Sequence, residues 1–168
     1  MKFNYYAFKA IYLHEMDRFK RTLMQSLLSP VISTSLYFIV FGSVIGGYVE
    51  NIDGISYGSY IVPGLLMLTL LTQSISNTSF GIFFPKFNGT IYEILAAPIS
   101  TLEIVLAFVG AGATKTLIVG FVIFITATFF VEVGVKYPLL MIFLLVLVAF
   151  TFALFGFLIG LMLSLIHI

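Results

Sequence analysis

The stretch IVLAFVGAGATKTLIVGFVIFITATFFV, Ile104 to Val131, contains a single charge, Lys115. As a helix it rises about 42 Å, more than the roughly 30 Å of hydrocarbon in a bilayer. Three further windows carry no charge at all: 28 residues between Arg21 and Glu50, 32 between Asp53 and Lys86, and everything after Lys136. Each exceeds the roughly 20 residues a spanning helix needs. The pattern predicts an all-α polytopic membrane protein with four spans, at about residues 30–48, 60–83, 103–131 and 138–163.

Composition excludes the other classes. Of 168 residues, 9% are charged, 61% are apolar and 17% are Phe or Tyr. A soluble domain carries about 25% charge, and this much apolar surface could not be hidden in one small core. Few charges and many aromatics oppose disorder. A net charge of +1 gives no basic excess for nucleic acid. Without cysteine there is neither a disulfide framework nor a thiolate metal site.

Local signals mark the ends. Ser29 and Pro30 fit an N-cap and first helical residue for span 1, and Pro63 falls near the first turn of span 2. Placing the N-terminus in the cytoplasm collects Lys2, Lys9, Arg18, Lys20, Arg21 and Lys86 on one side and leaves Lys136 on the other. That is the positive-inside bias of a cell (inner) membrane protein. Tyr48, Tyr57, Tyr60 and Tyr137 then gather at the outer interface as half of an aromatic belt.

Residues 3–27 read differently. Tyr5, Phe8, Tyr12, Met16, Phe19 and Leu23 recur at helical spacing, with Asp17 able to pair with Arg21 one turn on. The expectation is an amphipathic helix lying in the membrane surface.

Between spans 2 and 3, Thr90 and Glu93 stand three apart, as do Ser100 and Glu103. Each pair can close a capping box, so two helices are expected to start there. The first, 90–97, is stopped by Pro98 and shows Ile91, Ile94 and Leu95 on one face. It is either a contact point at the cytoplasmic surface or a plain linker.

This loop, Gly89-Thr90-Ile91-Tyr92-Glu93-Ile94-Leu95-Ala96-Ala97-Pro98-Ile99-Ser100, resembles the corresponding stretch of ABC-2 type transport permeases, the membrane subunits of one class of ATP-binding cassette exporter. Tyr60-Ile61-Val62-Pro63-Gly64, opening span 2, and PVISTSLYFIVFG, Pro30 to Gly42, are similar to the same family. Many members carry their acidic residue where this chain has Tyr92; here it stands one place later, at Glu93. Members commonly have six spans, so the chain resembles the first two thirds of one, a permease truncated after its fourth span. The resemblance implies a permease subunit of an ATP-driven exporter, working with a second permease copy, as a homodimer, and with separate cytoplasmic ATPase subunits that bind ATP and Mg. It assigns coupling to that partner to Thr90, Ile91, Glu93, Ile94, Leu95 and Pro98. No cofactor is expected on this chain.

Other positions weigh less. Gly110 to Thr116 fails as a phosphate loop, because Thr114 and Val109 stand where glycines are required. Lys115, as the charge inside a span, is read either as a side chain reaching water or another helix or as a pathway residue. Thr69, Thr72, Gln73, Ser76 and Asn77 put polar groups along span 2, where they pack against protein or meet substrate. Tyr37, Phe38 and Phe41 on span 1 could stack on a substrate or meet lipid. Gly42 with Gly46, and Gly156 with Gly160, permit close helix approach. His14 and His167 have no ligand partners at useful spacing, so no metal site is expected. A small helical channel or scaffold without an ATPase is the alternative reading. An integral-membrane enzyme is a further one, although the spans hold no catalytic constellation.

Overall fold

A computed structural model describes residues 3–45, 51–52 and 54–163. It is an all-α polytopic membrane architecture. The helices are α1 (Tyr5–Arg21), α2 (Leu23–Tyr37), α3 (Tyr57–Asn88), α4 (Ile91–Ala96), α5 (Thr101–Thr128) and α6 (Pro138–Met162). Two-residue strands, β1 (Asn51–Ile52) and β2 (Ile55–Ser56), pair before α3. Four stretches are long and apolar enough to cross a membrane: Leu23–Phe41, Tyr57–Asn88, Thr101–Thr128 and Pro138–Met162. The expected outer end of span 1, through Tyr48, lies outside the described residues, as do Gly46, Glu50, Asp53 and His167.

Capping chemistry explains most helix ends. The Asn4 side chain accepts the Ala7 N–H at 3.2 Å to open α1. Thr22 closes it, leaving helical geometry at φ −107° and ψ 17° while its hydroxyl donates to Arg18 O at 3.3 Å. Residues 3–27 are therefore not one helix. Helix α2 begins directly after Thr22 and continues as a π-helix over Phe38–Ile45. Ser29 and Pro30 consequently do not start span 1: Pro30 sits buried inside α2, well after its first turn. Ser56 caps α3, accepting the Ser59 N–H at 3.3 Å. Gly89, at φ 78°, ends α3 in the left-handed conformation that glycine adopts without strain. Pro138 opens α6 at a position where the missing N–H is harmless.

Packing fixes the helix directions. Ser74 Oγ donates to Ala149 O at 2.6 Å, and a Cβ at Gly156 or Gly160 would meet the backbone of Ile75 or Ser79, so α3 and α6 run parallel with backbones in contact. The buried side of α6 is built from Ala149, Ala153, Gly156, Phe157 and Gly160, and the small members let α3 approach. Helix α5 runs antiparallel to α3, with Gly120 against Leu70, Gly112 against Thr78, and Phe108 beside Gly81.

The first helix does something the periodicity did not foretell. Asn4 meets Glu103, Tyr12 meets Thr114 and Glu15 meets Lys115, so α1 runs alongside α5 in the same direction. Phe19 and Leu27 extend this contact onto Val119 and Ile123. Phe38 carries it to the other end, beside Val62 and Ala127. Of the stripe named above, Phe19 is buried against α5 and Tyr5 is exposed. Asp17 pairs with Lys20 at 3.0 Å rather than with the Arg21 side chain, which reaches the Asp17 carbonyl. The outer surface of α6 is apolar, with Leu139, Phe143, Leu147 and Phe155 exposed, as a lipid-facing helix requires.

Candidate functional site

Helix α4 joins α3 to α5 at one end of the bundle. Pro98 ends it by forcing Ala97 into extended backbone, ψ 152°. Ser100 then opens α5 with a complete capping box: its hydroxyl accepts the Glu103 N–H at 3.4 Å, and Glu103 Oε2 accepts the Ser100 N–H at 2.8 Å. The equivalent box at Thr90 and Glu93 does not form. Gly89 has already turned the chain, so Thr90 adopts helical φ and ψ, and its hydroxyl donates back to Pro85 O at 3.4 Å.

The short helix has two faces. Ile91 and Ile94 pack inward on the cluster of Ile82, Ile104, Phe108 and Phe157. Tyr92 and Leu95 point outward, 74% and 62% exposed, with Glu93 and Pro98 exposed beside them. The six positions tied to partner coupling therefore divide: Ile91 and Ile94 hold α4 to the bundle, while Leu95 and Glu93 are available to a partner. Tyr92, not among those six, joins the available face.

Midway along α5, where α1 packs on it, lies a buried charge cluster. Lys115 Nζ donates to Glu15 Oε2 at 2.8 Å, and these residues are 3% and 2% exposed. Arg18 Nη2 reaches the same oxygen at 2.8 Å. The Arg18 guanidinium also lies over the Phe84 ring, 5.9 Å from its centroid. Gly81 of α3 lies alongside: a Cβ there would be in ordinary contact, 3.4 Å from Glu15 Oε2 and 3.6 Å from the Phe108 ring. Lys115 thus reaches another helix, and its ammonium ends on a carboxylate rather than in solvent. A lysine at mid-span costs about 3 kcal/mol to insert, and a partnered carboxylate offsets that cost. Two more polar links join α1 to α5. The Asn4 N–H donates to Glu103 Oε1, and Tyr12 OH donates to Thr114 Oγ1 at 3.0 Å.

The polar residues of span 2 separate. Asn77 donates to Gln73 at 3.4 Å, both half-buried, while Thr69 and Thr72 return their hydroxyls to Leu65 O and Leu68 O of the same helix. The groups that α3 turns into the bundle are Ser74 and Thr78, which the stripe omitted. Tyr37 stacks on Phe41 at 5.3 Å, away from the charge cluster, and Phe38 stacks on Phe130 at 5.7 Å. Among the described residues, no group of three or more His, Asp or Glu could hold a metal.

Glu15 and Lys86 make contacts that sequence reasoning did not single out. Glu15 carried a signal: it is an acidic residue adjoining the apolar stripe of α1, in a chain with one lysine inside a span. Lys86 Nζ donates to the carbonyls of Gly160, Leu161 and Leu163, closing the end of α6.

Removing Glu15 leaves the Lys115 ammonium buried beside Arg18 without a counter-charge. Thermal unfolding of detergent-purified protein is therefore expected to show Glu15→Ala costing about 3–5 kcal/mol. Lys20→Ala, which breaks only the exposed pair with Asp17, is expected to cost less than about 1 kcal/mol.

Comparison with known proteins places this arrangement in a family. The chain is 39% identical over 154 residues to the inner membrane transport permease YadH of Escherichia coli K12, covering 92% of this chain and 60% of that protein. It is 26% identical over 121 residues to nodulation protein J of Neorhizobium galegae, covering 71% of this chain and 46% of that one. The chain thus spans less than two thirds of the length of the curated relatives it matches. No solved structure matches it. The model of the ABC-2 type transporter family matches residues 6–168, and with four spanning helices and the paired helix starts between the second and third, the chain belongs to that family.

Proposed function

We propose that the chain is part of the membrane-spanning permease of an ATP-driven exporter in the inner membrane. A second copy of the permease completes the pathway, and separate cytoplasmic ATPase subunits bind ATP with Mg and hydrolyse it. The observation that carries this reading is α4. It is stopped at Pro98, anchored inward by Ile91 and Ile94, and presents Tyr92 and Leu95 outward. A bare linker has no need to bury one face and expose large apolar groups on the other. An exposed tyrosine and leucine on a firmly seated helix are suited to filling a groove on a partner, where a few buried anchors hold most of the binding energy. Membership in the family and the similarity to a transport permease supply the class of partner.

In this reading the α4 end of the bundle is cytoplasmic, as the distribution of Lys and Arg favours. ATP-driven closure of the ATPase pair pushes on α4, and the motion passes into α3 and α5. Gln73 and Asn77, half-buried on α3, and Tyr37 at the end of α2 with Phe41 in the π-helix that follows, are positions where a second copy or a substrate would make contact.

Two measurements test it. In the complete permease, Tyr92→Ala and Leu95→Ala are each expected to lower ATPase co-purification about tenfold or more, with membrane abundance unchanged. Retention of full ATPase binding by both variants would reduce α4 to a linker. For topology, the chain has no cysteine of its own. An impermeant thiol reagent applied to intact cells is expected to label Ser56→Cys and to spare Asn88→Cys; the opposite pattern would invert the orientation.

A further inference from the structure

We propose that Arg18 and the aromatic edge of α3 beside it form a site for one anionic phospholipid, in the leaflet at the α4 end of the bundle. The lipid phosphate meets the guanidinium, and an acyl chain lies along Phe84 and Phe80.

Charge balance is the first observation. Lys115 Nζ and Arg18 Nη2 both end on Glu15 Oε2, each at 2.8 Å, so two cations share one carboxylate and one positive charge is left over. In surroundings this dry, an uncompensated charge attracts a counter-ion more strongly than it would in water. Lys115 is buried, whereas the Arg18 side chain is 29% exposed, so the surplus is reachable at the guanidinium. That group has five N–H donors, and among the described residues only Nη2 has a polar partner. The rest of the fork matches the paired oxygens of a phosphate.

Depth is the second. Lys115 stands midway along α5, but helical side chains lean toward their own N-terminus. The N-termini of α1 and α5 meet at the α4 end, where Asn4 bonds Glu103, so the charged groups are displaced toward that end. The guanidinium lies over Phe84, four residues or about 6 Å before α3 ends at Asn88. Lys86, two residues on, bonds the carbonyls of Gly160, Leu161 and Leu163, where the apolar run of α6 stops. Arg18 is thus placed where hydrocarbon gives way to headgroups, the level of lipid phosphates.

The apolar half of the site adjoins it. Phe80, Phe84 and Phe87 recur at steps of four and three on one face of α3, and all three are exposed. Phe80 lies one turn closer to the membrane centre than Phe84, so an acyl chain descending from a phosphate at Arg18 passes over both rings. A soluble anion would use the guanidinium and leave the rings idle, while a phospholipid uses both. A zwitterionic headgroup brings its own ammonium, whereas a headgroup of net charge −1 balances the surplus.

Native mass spectrometry and thermal unfolding of the complete permease in detergent test this, with dioleoyl phosphatidylglycerol, dioleoyl phosphatidylcholine or inorganic phosphate added. Phosphatidylglycerol is expected to be retained about fivefold more tightly than phosphatidylcholine, the factor one basic residue contributes at a membrane surface. Inorganic phosphate is expected to give no thermal shift. Arg18→Gln, which leaves Glu15 and Lys115 paired one to one, is expected to erase the preference. Phe80→Ala is expected to weaken retention of phosphatidylglycerol about threefold or more. Lys20→Ala, whose lysine is already paired with Asp17, and Phe155→Ala, on the exposed side of α6, are expected to change neither. Equal retention of the two lipids would overturn the site, as would a preference that survives Arg18→Gln or a loss in Phe155→Ala as large as in Phe80→Ala. Stabilisation by inorganic phosphate equal to that by phosphatidylglycerol would overturn the lipid as its occupant. Should Arg18→Gln not fold, Phe80→Ala and the lipid preference of the unaltered protein decide.

Discussion

The placement of α1 depends on one carboxylate. Glu15 brings a negative charge to Lys115 across a separation of 100 residues, and without it an ammonium would stand unpaired inside a spanning helix. Satisfying that charge draws α1 against α5. Apolar packing alone would leave α1 free to lie along the lipid surface, as its stripe of aromatics invites. The pair also bears on what lies around it: Arg18 is held where it can cover Phe84.

Where partners lie close in sequence, the structure was readable in advance. Charge-free windows locate the spans because a bilayer punishes charge wherever it occurs along the chain. The Ser100 box was legible because both of its members sit within one turn. Thr90 and Glu93 have the same spacing and fail, because Gly89 places Thr90 in helical geometry before its side chain can cap. Spacing states what is possible, and the preceding backbone decides. The glycines at 156 and 160 announced a close approach, but nothing local could name Ile75 and Ser79 as its target.

The candidate site was legible only in part for the same reason. Proline and periodicity locate α4, but which of its apolar residues face outward depends on where α3, α5 and α6 meet. Ile91 and Ile94 proved to be anchors because Ile82, Ile104 and Phe157, from three other helices, converge beneath them. Ser74 and Thr78 escaped notice because the longer polar groups of α3 lie on its other sides. The two faces of α4 suit the proposed coupling role, in which a helix that transmits force needs a firm seat on one side and a grip on the other.

The most direct test of this account is a charge exchange between Glu15 and Lys115. Glu15→Lys puts three cations together and Lys115→Glu sets two carboxylates in contact. The double variant restores one carboxylate between Arg18 and a lysine. If the ion pair holds α1 to α5, thermal unfolding of the four proteins in detergent will show the double variant more stable than the sum of the single losses predicts, by about 1.5 kcal/mol or more. Additive losses, with the double variant the least stable of the four, would contradict it.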